Sequence, residues 1–385
     1  MKNRFCRSAV SASSCSSASR RAFLGAAGIG SVSLSRLAKG KSPVVALPQQ
    51  ESGATGRKKK KIRVAQVGVG HAHATKLAVY RKSEDYEVVG IHEPDPGLKK
   101  QAERQAPFRD LPWLTEEQIL NDSSVDAVLV ETRVSDSLAV AEKCVQADKH
   151  IHLDKPAGES FPLFDRILQA AEKKGLMVQM GYMYRYNPAV VLLREMLEKG
   201  WLGEIFEVHA VMSKVISPAA RKPLARYRGG ILFELGCHIL DLAIGVLGRP
   251  RQVDSVNRHS SGLKDDLVDN MLAILSYDNA IATVKSTALE VEGFARRHFV
   301  VCGTEGTFHI QPLDNPSARV ALSRKRPGYQ AGYQTVNFPR YVRYVDDAAD
   351  MARVIRGEKE ADFSSEHDRI VQQTLLSACD LLPPG

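Results

Sequence analysis

Ile62-Arg63-Val64-Ala65-Gln66-Val67-Gly68-Val69-Gly70-His71-Ala72-His73 is an apolar run rich in β-branched residues that enters a glycine turn. Gly68 and Gly70 permit a tight turn and let a pyrophosphate approach backbone N–H groups at the start of the helix expected over 74–82. The pattern departs from G-x-G-x-x-G at its third glycine, where His73 stands. A second strand is expected over 86–91, and Glu93 follows it, 23 positions after Gly70. A carboxylate there suits the adenosine ribose hydroxyls and repels a 2′-phosphate, which favours NAD over NADP.

The same alternation continues. Ala127-Val128-Leu129-Val130 carries no polar residue, as a strand buried on both faces of a parallel sheet requires. Helices over 137–148 and 161–174 and strands over 151–153 and 177–180 complete a doubly wound parallel sheet of the Rossmann type. After Pro188 the grammar changes to a helix over 190–199, a strand over 203–214, then strands over 271–277, 280–289, 298–302 and 307–310. Asp278-Asn279 and Gly303-Thr304-Glu305-Gly306 read as hairpin turns between them. Strands clustered in this way predict an α+β part with an open, mainly antiparallel sheet. The expected fold class is therefore α/β. Its plan is a Rossmann domain over 62–182, a substrate and oligomerisation domain over 183–340, and terminal helices over 341–385.

The formal charge of +9 gives no argument for nucleic acid. Residues 1–61 hold 13 Lys and Arg against one acid, Glu51, which leaves 40 basic and 43 acidic residues for the rest. The body is mildly acidic. The basic excess sits in a segment that is acid-free to residue 50, with Ser19-Arg20-Arg21-Ala22-Phe23-Leu24 ahead of a short Gly/Ala-rich apolar run. That arrangement resembles a twin-arginine signal over 1–46 followed by a linker over 47–61, so periplasmic or other export is expected, with an organellar transit peptide as the alternative. The apolar run is too short and glycine-rich for a membrane span. Cys144, Cys237, Cys302 and Cys379 are scattered without metal-ligand spacing, so buried free thiols are expected and no metal site.

Two further motifs carry the chemistry. His152-Leu153-Asp154-Lys155-Pro156 places Lys155 at the carboxyl edge of the sheet, where open α/β sheets bind ligands. Gly229-Gly230-Ile231-Leu232-Phe233-Glu234-Leu235-Gly236-Cys237-His238 sets Glu234 one helical turn before His238, on one face if the segment is a regular helix. A histidine titrates near neutrality and suits a general base, and a lysine can donate to a hydroxyl oxygen. Lys155, His238 and Glu234 are the expected catalytic set. Asp241 reads as structural.

With Val67-Gly68-Val69-Gly70-His71, Asp154-Lys155-Pro156, Gly181-Tyr182-Met183-Tyr184-Arg185-Tyr186-Asn187-Pro188 and Glu234-x-Gly236-x-His238-x-x-Asp241 in this order, the chain resembles the Gfo/Idh/MocA family over about residues 61–380. The resemblance implies a bound nicotinamide, a small sugar-like substrate, a dimer or tetramer, and Lys155 and His238 as catalytic residues. Gly68, Val69, Gly70, His71, Glu93, Thr132 and Lys155 are the expected cofactor contacts. The chain departs from the family pattern in Asp154 for Glu, in Glu234 for Asp, in His73 for glycine, and in Thr132-Arg133-Val134-Ser135-Asp136-Ser137, which lacks the usual Pro and His.

The expected activity is exported oxidoreduction at a CH–OH group of a sugar, sugar acid or cyclitol, with a tightly held cofactor. The alternatives are redox-assisted elimination or glycoside cleavage, and a non-catalytic sugar-binding protein that keeps the fold. Tyr184, Arg185, Arg226 and Arg228 are candidate substrate contacts. The run Lys214, Arg221, Lys222, Arg226, Arg228 contains no acid, and it reads either as a solvated loop or as a rim for carboxylate or phosphate.

Overall fold

The computed structural model describes residues 59–382. The signal and most of the linker expected over 1–61 lie outside them. Five parallel strands form the first sheet: β1 Ile62–Val67, β2 Tyr86–His92, β3 Ala127–Val130, β4 His150–Leu153 and β5 Val178–Met180. Their order is β2-β1-β3-β4-β5, so the chain reverses direction across the sheet between β1 and β3. The carboxyl ends of those two strands mark the switch point where an open α/β sheet forms its ligand crevice. All four residues of β3 are buried, as an unbroken apolar strand in a parallel sheet must be.

The glycine turn leads into a 3₁₀ turn, Ala74–Lys76, and the helix Leu77–Lys82. Helix Val134–Gln146 begins three residues before the expected start at 137. Helix Phe161–Lys174 has proline in its first turn and stops at Gly175, which takes a left-handed conformation (φ 66°). Two short helices add to the expected set. Pro96–Ala102 is capped by Asp95, and Glu116–Asn121 by a Thr115/Gln118 capping box.

The second sheet has eight strands, ordered β13-β12-β11-β10-β6-β9-β8-β7. They are β6 Ile205–Val211, β7 Gln252–Arg258, β8 Asn270–Ser276, β9 Ile281–Thr287, β10 His298–Gly303, β11 Gly306–Ile310, β12 Ser317–Leu322 and β13 Gly332–Asn337. All neighbours pair antiparallel except β6 with β9. Both expected hairpin turns are present, at β8–β9 and β10–β11. Burial alternates along β8 and β9, so one face is packed and the other open, and on the open face Val256, Ile281 and Tyr333 stand exposed.

Helices Pro188–Glu198, Cys237–Leu247 and Ser365–Ala378 supply apolar faces to one continuous core that includes both sheets. The terminal segment does not stand apart. Ser365–Ala378 packs on Cys237–Leu247 and on Phe161–Lys174, while Val345–Ile355 returns to the first sheet, burying Ala348, Met351 and Ala352 against Ile62 and Tyr80. Among the described residues no helix is long and apolar enough to cross a membrane.

Candidate functional site

The glycine turn lies across the mouth of the β1/β3 crevice. Gly68 has φ 91°, and a Cβ on it would fall 2.5 Å from the Thr132 backbone nitrogen, so the turn passes the end of β3 with no room for a side chain. The His71 N–H donates to the Glu131 carbonyl (2.9 Å) and fastens the turn there. Glu93, just past β2, accepts from the Val69 N–H (2.8 Å) and the Asp95 N–H (2.9 Å), which aims its carboxylate along the turn. Arg133 pairs with Asp95 at 2.7 Å on the outer side. A cleft of about 510 Å³ opens here, and Gly70, Arg133, Ser135, Gly158, Arg226 and Arg228 are among its lining residues. Cleft and glycine cradle together fit a dinucleotide.

Lys155 follows β4 and is almost wholly buried (2% exposed). Its Nζ donates to the Glu234 carbonyl at 2.9 Å and reaches Glu234 Oε1 at 3.4 Å. Burial lowers its pKa, but Glu234, Cys237 and Asp154 together outweigh that and hold it above its ordinary value, so the amine stays an ammonium donor. The expectation of Glu234 and His238 on one regular helix face is corrected. Leu232–Gly236 forms a wider π-type turn, and the regular helix Cys237–Leu247 starts just before His238. The extra residue in that turn presents Glu234 to Lys155 rather than to the histidine. Gly230 (φ 59°) begins this segment where a Cβ would lie 2.5 Å from the Val268 carbonyl oxygen.

His238 is 3% exposed, and its Nδ1 is buried without a hydrogen-bond partner. Its ring meets Tyr184 edge-on at 5.1 Å and lies 6.0 Å from Tyr182 and 6.3 Å from His73. Burial, with the positive Lys155 next in size, pushes its pKa well below the ordinary value. The imidazole is therefore neutral and ready to accept a proton.

Behind this pair lies a buried polar cluster that no local motif announced. Asp154 receives Lys76 Nζ (2.5 Å) and the Lys155 N–H (2.7 Å), with His71 and His73 Nδ1 each at 3.2 Å. Glu131 lies 3.0 Å from the same Lys76. Burial lowers the His71 pKa, but Asp154 and Glu131 together lift it to about 9, whereas burial takes His73 down to about 4. Sequence spacing pointed to no metal site, yet the fold brings His71, His73 and Asp154 close enough to hold an ion. The Lys76 ammonium on Asp154 already supplies a cation there.

Of the candidate substrate contacts, Tyr184 stands against His238. Arg185 does not reach the site, and that expectation is corrected: its guanidinium is buried and committed to Asp241 (2.6 Å) and Asp368 (2.5 Å). Asp241, which also receives His367 at 2.9 Å, is structural as expected. Arg226 and Arg228 line the cleft beside Gly70, and Arg228 leans on Glu159 (3.6 Å). Arg221 is no rim residue either, being fully buried against Asp265 and Asp269. Cys144, Cys237 and Cys379 are buried free thiols and Cys302 is half-buried.

Residues 62–182 match the oxidoreductase family with an NAD-binding Rossmann fold, and residues 190–309 match the GFO/IDH/MocA C-terminal domain. The scyllo-inositol 2-dehydrogenase (NAD+) of Bacillus subtilis (strain 168) is 26% identical over 264 residues, 66% of this chain and 74% of that protein. The myo-inositol 2-dehydrogenase of Thermotoga maritima is 25% identical over 260 residues, 64% and 74% of the two chains. A solved oxidoreductase from Agrobacterium radiobacter, in complex with NAD+, L-tartaric acid and magnesium, superposes with a TM-score of 0.71 at 16% identity, covering 82% of this chain and 94% of its own. At that identity the superposition speaks for the fold alone.

Proposed function

The chain belongs to the Gfo/Idh/MocA family of NAD(P)-dependent oxidoreductases, and from that premise we propose that it oxidises a CH–OH group of a sugar, sugar acid or cyclitol with NAD, using Lys155 and His238. A nicotinamide held by the glycine turn would supply the hydride acceptor. The chain's own residues do the rest. The Lys155 ammonium donates to the substrate hydroxyl oxygen and stabilises negative charge as the O–H bond weakens. Neutral His238 takes the hydroxyl proton. Glu234 holds Lys155 through its carbonyl and carboxylate.

The observation that carries the reading is the pairing of a buried, charged lysine with a buried, neutral histidine whose ring nitrogen has no protein partner, at the carboxyl edge of a dinucleotide sheet. A buried unpartnered nitrogen is costly unless a ligand meets it. Two inositol dehydrogenases among the relatives support a polyol substrate. Incubating the purified protein with NAD and a panel of sugars and cyclitols, while following the near-ultraviolet absorbance of reduced nicotinamide, tests it. Absence of reduction across the panel, with cofactor demonstrably bound, would sink the reading.

The acid-free twin-arginine segment supports export of the folded, cofactor-loaded protein. We propose that the cofactor is held tightly and recycled within one enzyme, and mass spectrometry of small molecules released from the purified protein checks this. The apolar residues on the open sheet face support a homo-oligomer, which light scattering measures directly.

A further inference from the structure

Next to the catalytic pair lies a group of charges that the reaction as described leaves unused. Tyr184, whose ring packs on His238, donates its hydroxyl to Asp314 Oδ1 at 2.5 Å. The same carboxylate takes Arg297 Nη1 (2.9 and 3.1 Å) and the Arg343 guanidinium. Arg297 is buried and also donates Nε to the Ser213 carbonyl at 3.2 Å, which sets it against the residue before Lys214. Tyr344, the neighbour of Arg343, brings its ring within 5.8 Å of His73, so this loop covers the catalytic side of the molecule.

The charges do not balance. Asp314 is one carboxylate facing two guanidiniums, and among the described residues no carboxylate is in ion-pair contact with the half-buried Lys214. Of the other acids on this side, Glu234 is engaged by Lys155 and Glu290 by Arg296. Burial lowers the Lys214 pKa, and the positive Arg297 and Lys155 add to that against the Glu234 and Asp314 carboxylates. Leaving positive charge partly desolvated is unfavourable unless an anion completes the set. Arg343 keeps 38% of its side chain exposed, so donors remain open on the solvent side of Asp314. A planar guanidinium and an ammonium together suit a carboxylate or phosphate oxygen pair.

We infer that Lys214 and Arg343, braced by Arg297 and Asp314, form a subsite for an anionic group on the substrate, one tyrosine's length from His238. The substrate class is then a sugar or cyclitol carrying a carboxylate or a phosphate. This displaces anion recognition from Arg226 and Arg228, which lie on the cofactor cleft. The inference rests on the dehydrogenase reading for what the reacting end of the ligand does, and on the ion balance alone for its charged end.

The test is calorimetric titration of the NAD-loaded full chain with glucuronate, gluconate, glucose 6-phosphate, glucose and myo-inositol. At least one anionic ligand should bind tenfold or more tighter than its neutral counterpart, with affinity falling as salt rises. The carboxylate and phosphate arms identify which anion is preferred. In Lys214→Gln the ratio should collapse toward one, and Lys214→Arg should restore it. Equal binding of anionic and neutral ligands, no binding of any anion, or an unchanged ratio in Lys214→Gln would each overturn the subsite. Nicotinamide reduction is read in parallel. A neutral cyclitol oxidised with no preference for anions leaves the dehydrogenase standing and removes the subsite, whereas an anion bound tightly but never oxidised does the reverse.

Discussion

At the scale of single residues, the division of labour follows from two opposite pKa shifts in one small volume. Burial should neutralise both Lys155 and His238, and it does so for the histidine alone, because the lysine has the Glu234 carboxylate beside it. His238→Asn keeps a hydrogen-bonding amide but removes the basic nitrogen, so hydride transfer should fall by about 10²–10⁴ with cofactor still bound. Lys155→Ala should do likewise, and Glu234→Gln less, since the Glu234 backbone carbonyl still holds Lys155. Stopped-flow reduction of bound NAD measures all three. Turnover of His238→Asn within threefold of the unsubstituted chain removes the histidine from the mechanism. Glu93 governs cofactor choice by the same logic of placed charge: NAD should bind at least about tenfold tighter than NADP, roughly 1.4 kcal/mol, and calorimetry showing NADP equal or tighter refutes this. These residues were legible because each sits in a local motif whose spacing carries meaning. Asp314 was not, since its partner Tyr184 lies 130 residues away. Arg185 was misread for the same reason, its partner Asp368 being 183 positions downstream. Sequence displays a charge; only the fold shows what neutralises it.

Among the elements, legibility tracked burial. β3 is legible because burial on both faces demands an unbroken apolar run, and the other parallel strands are legible from their alternation with helices. β7 and β13 went unread because they are the two edges of the second sheet. No residue of β7 is fully buried, and its sequence Gln-Val-Asp-Ser-Val-Asn-Arg has little to distinguish it from a loop. β12, next to one edge, was missed with them. The glycine turn was the clearest element, and its geometry permits a sharp comparison. Gly68→Ala places a methyl group 2.5 Å from the Thr132 nitrogen at φ 91°, where neither backbone can yield. Stability should fall by about 1–3 kcal/mol, and NAD affinity at least tenfold, because the turn must move away from the crevice. Gly175→Ala also asks for a positive φ, 66°, but the methyl group meets open space at a helix end. It should cost about 1 kcal/mol with cofactor affinity unchanged. Thermal denaturation and calorimetry on the two variants decide it. Equal cofactor affinities would mean that the turn is not the cradle.

For the whole molecule, the buried cluster under the active site ties together segments from across the chain and should set the pH range of stability. It draws Lys76 from the first turn, Glu131 after β3, His152 in β4 and Asp154 just after it. Through Gln179, which bonds His152 (2.9 Å) and the Asp347 carbonyl (3.0 Å), it reaches the helix Val345–Ile355 near the chain's end. His71 is the group whose titration reports on it. Its folded pKa of about 9 lies above its ordinary 6.5, so the folded state holds a proton that the unfolded chain gives up first. That contribution is complete below pH 6.5 and is lost as pH rises through about 9; its size is on the order of 3 kcal/mol. His73 and His152 work with the opposite sign. Burial holds them at about 4 and about 3, so protons favour the unfolded chain as pH drops below 6.5. Asp347, pushed up to about 7 by burial, partly offsets that acid limb, since its folded form keeps a proton that the unfolded chain loses above 3.8. The alkaline limb is therefore the cleaner test. Urea midpoints of the unsubstituted chain should decline between pH 6.5 and 9, and those of His71→Gln should stay nearly level across that window while starting lower. A midpoint that holds or rises over the same range in the unsubstituted chain would show that His71 is not charged in the folded protein, and with it that Glu131 and Asp154 do not form the paired core of the cluster.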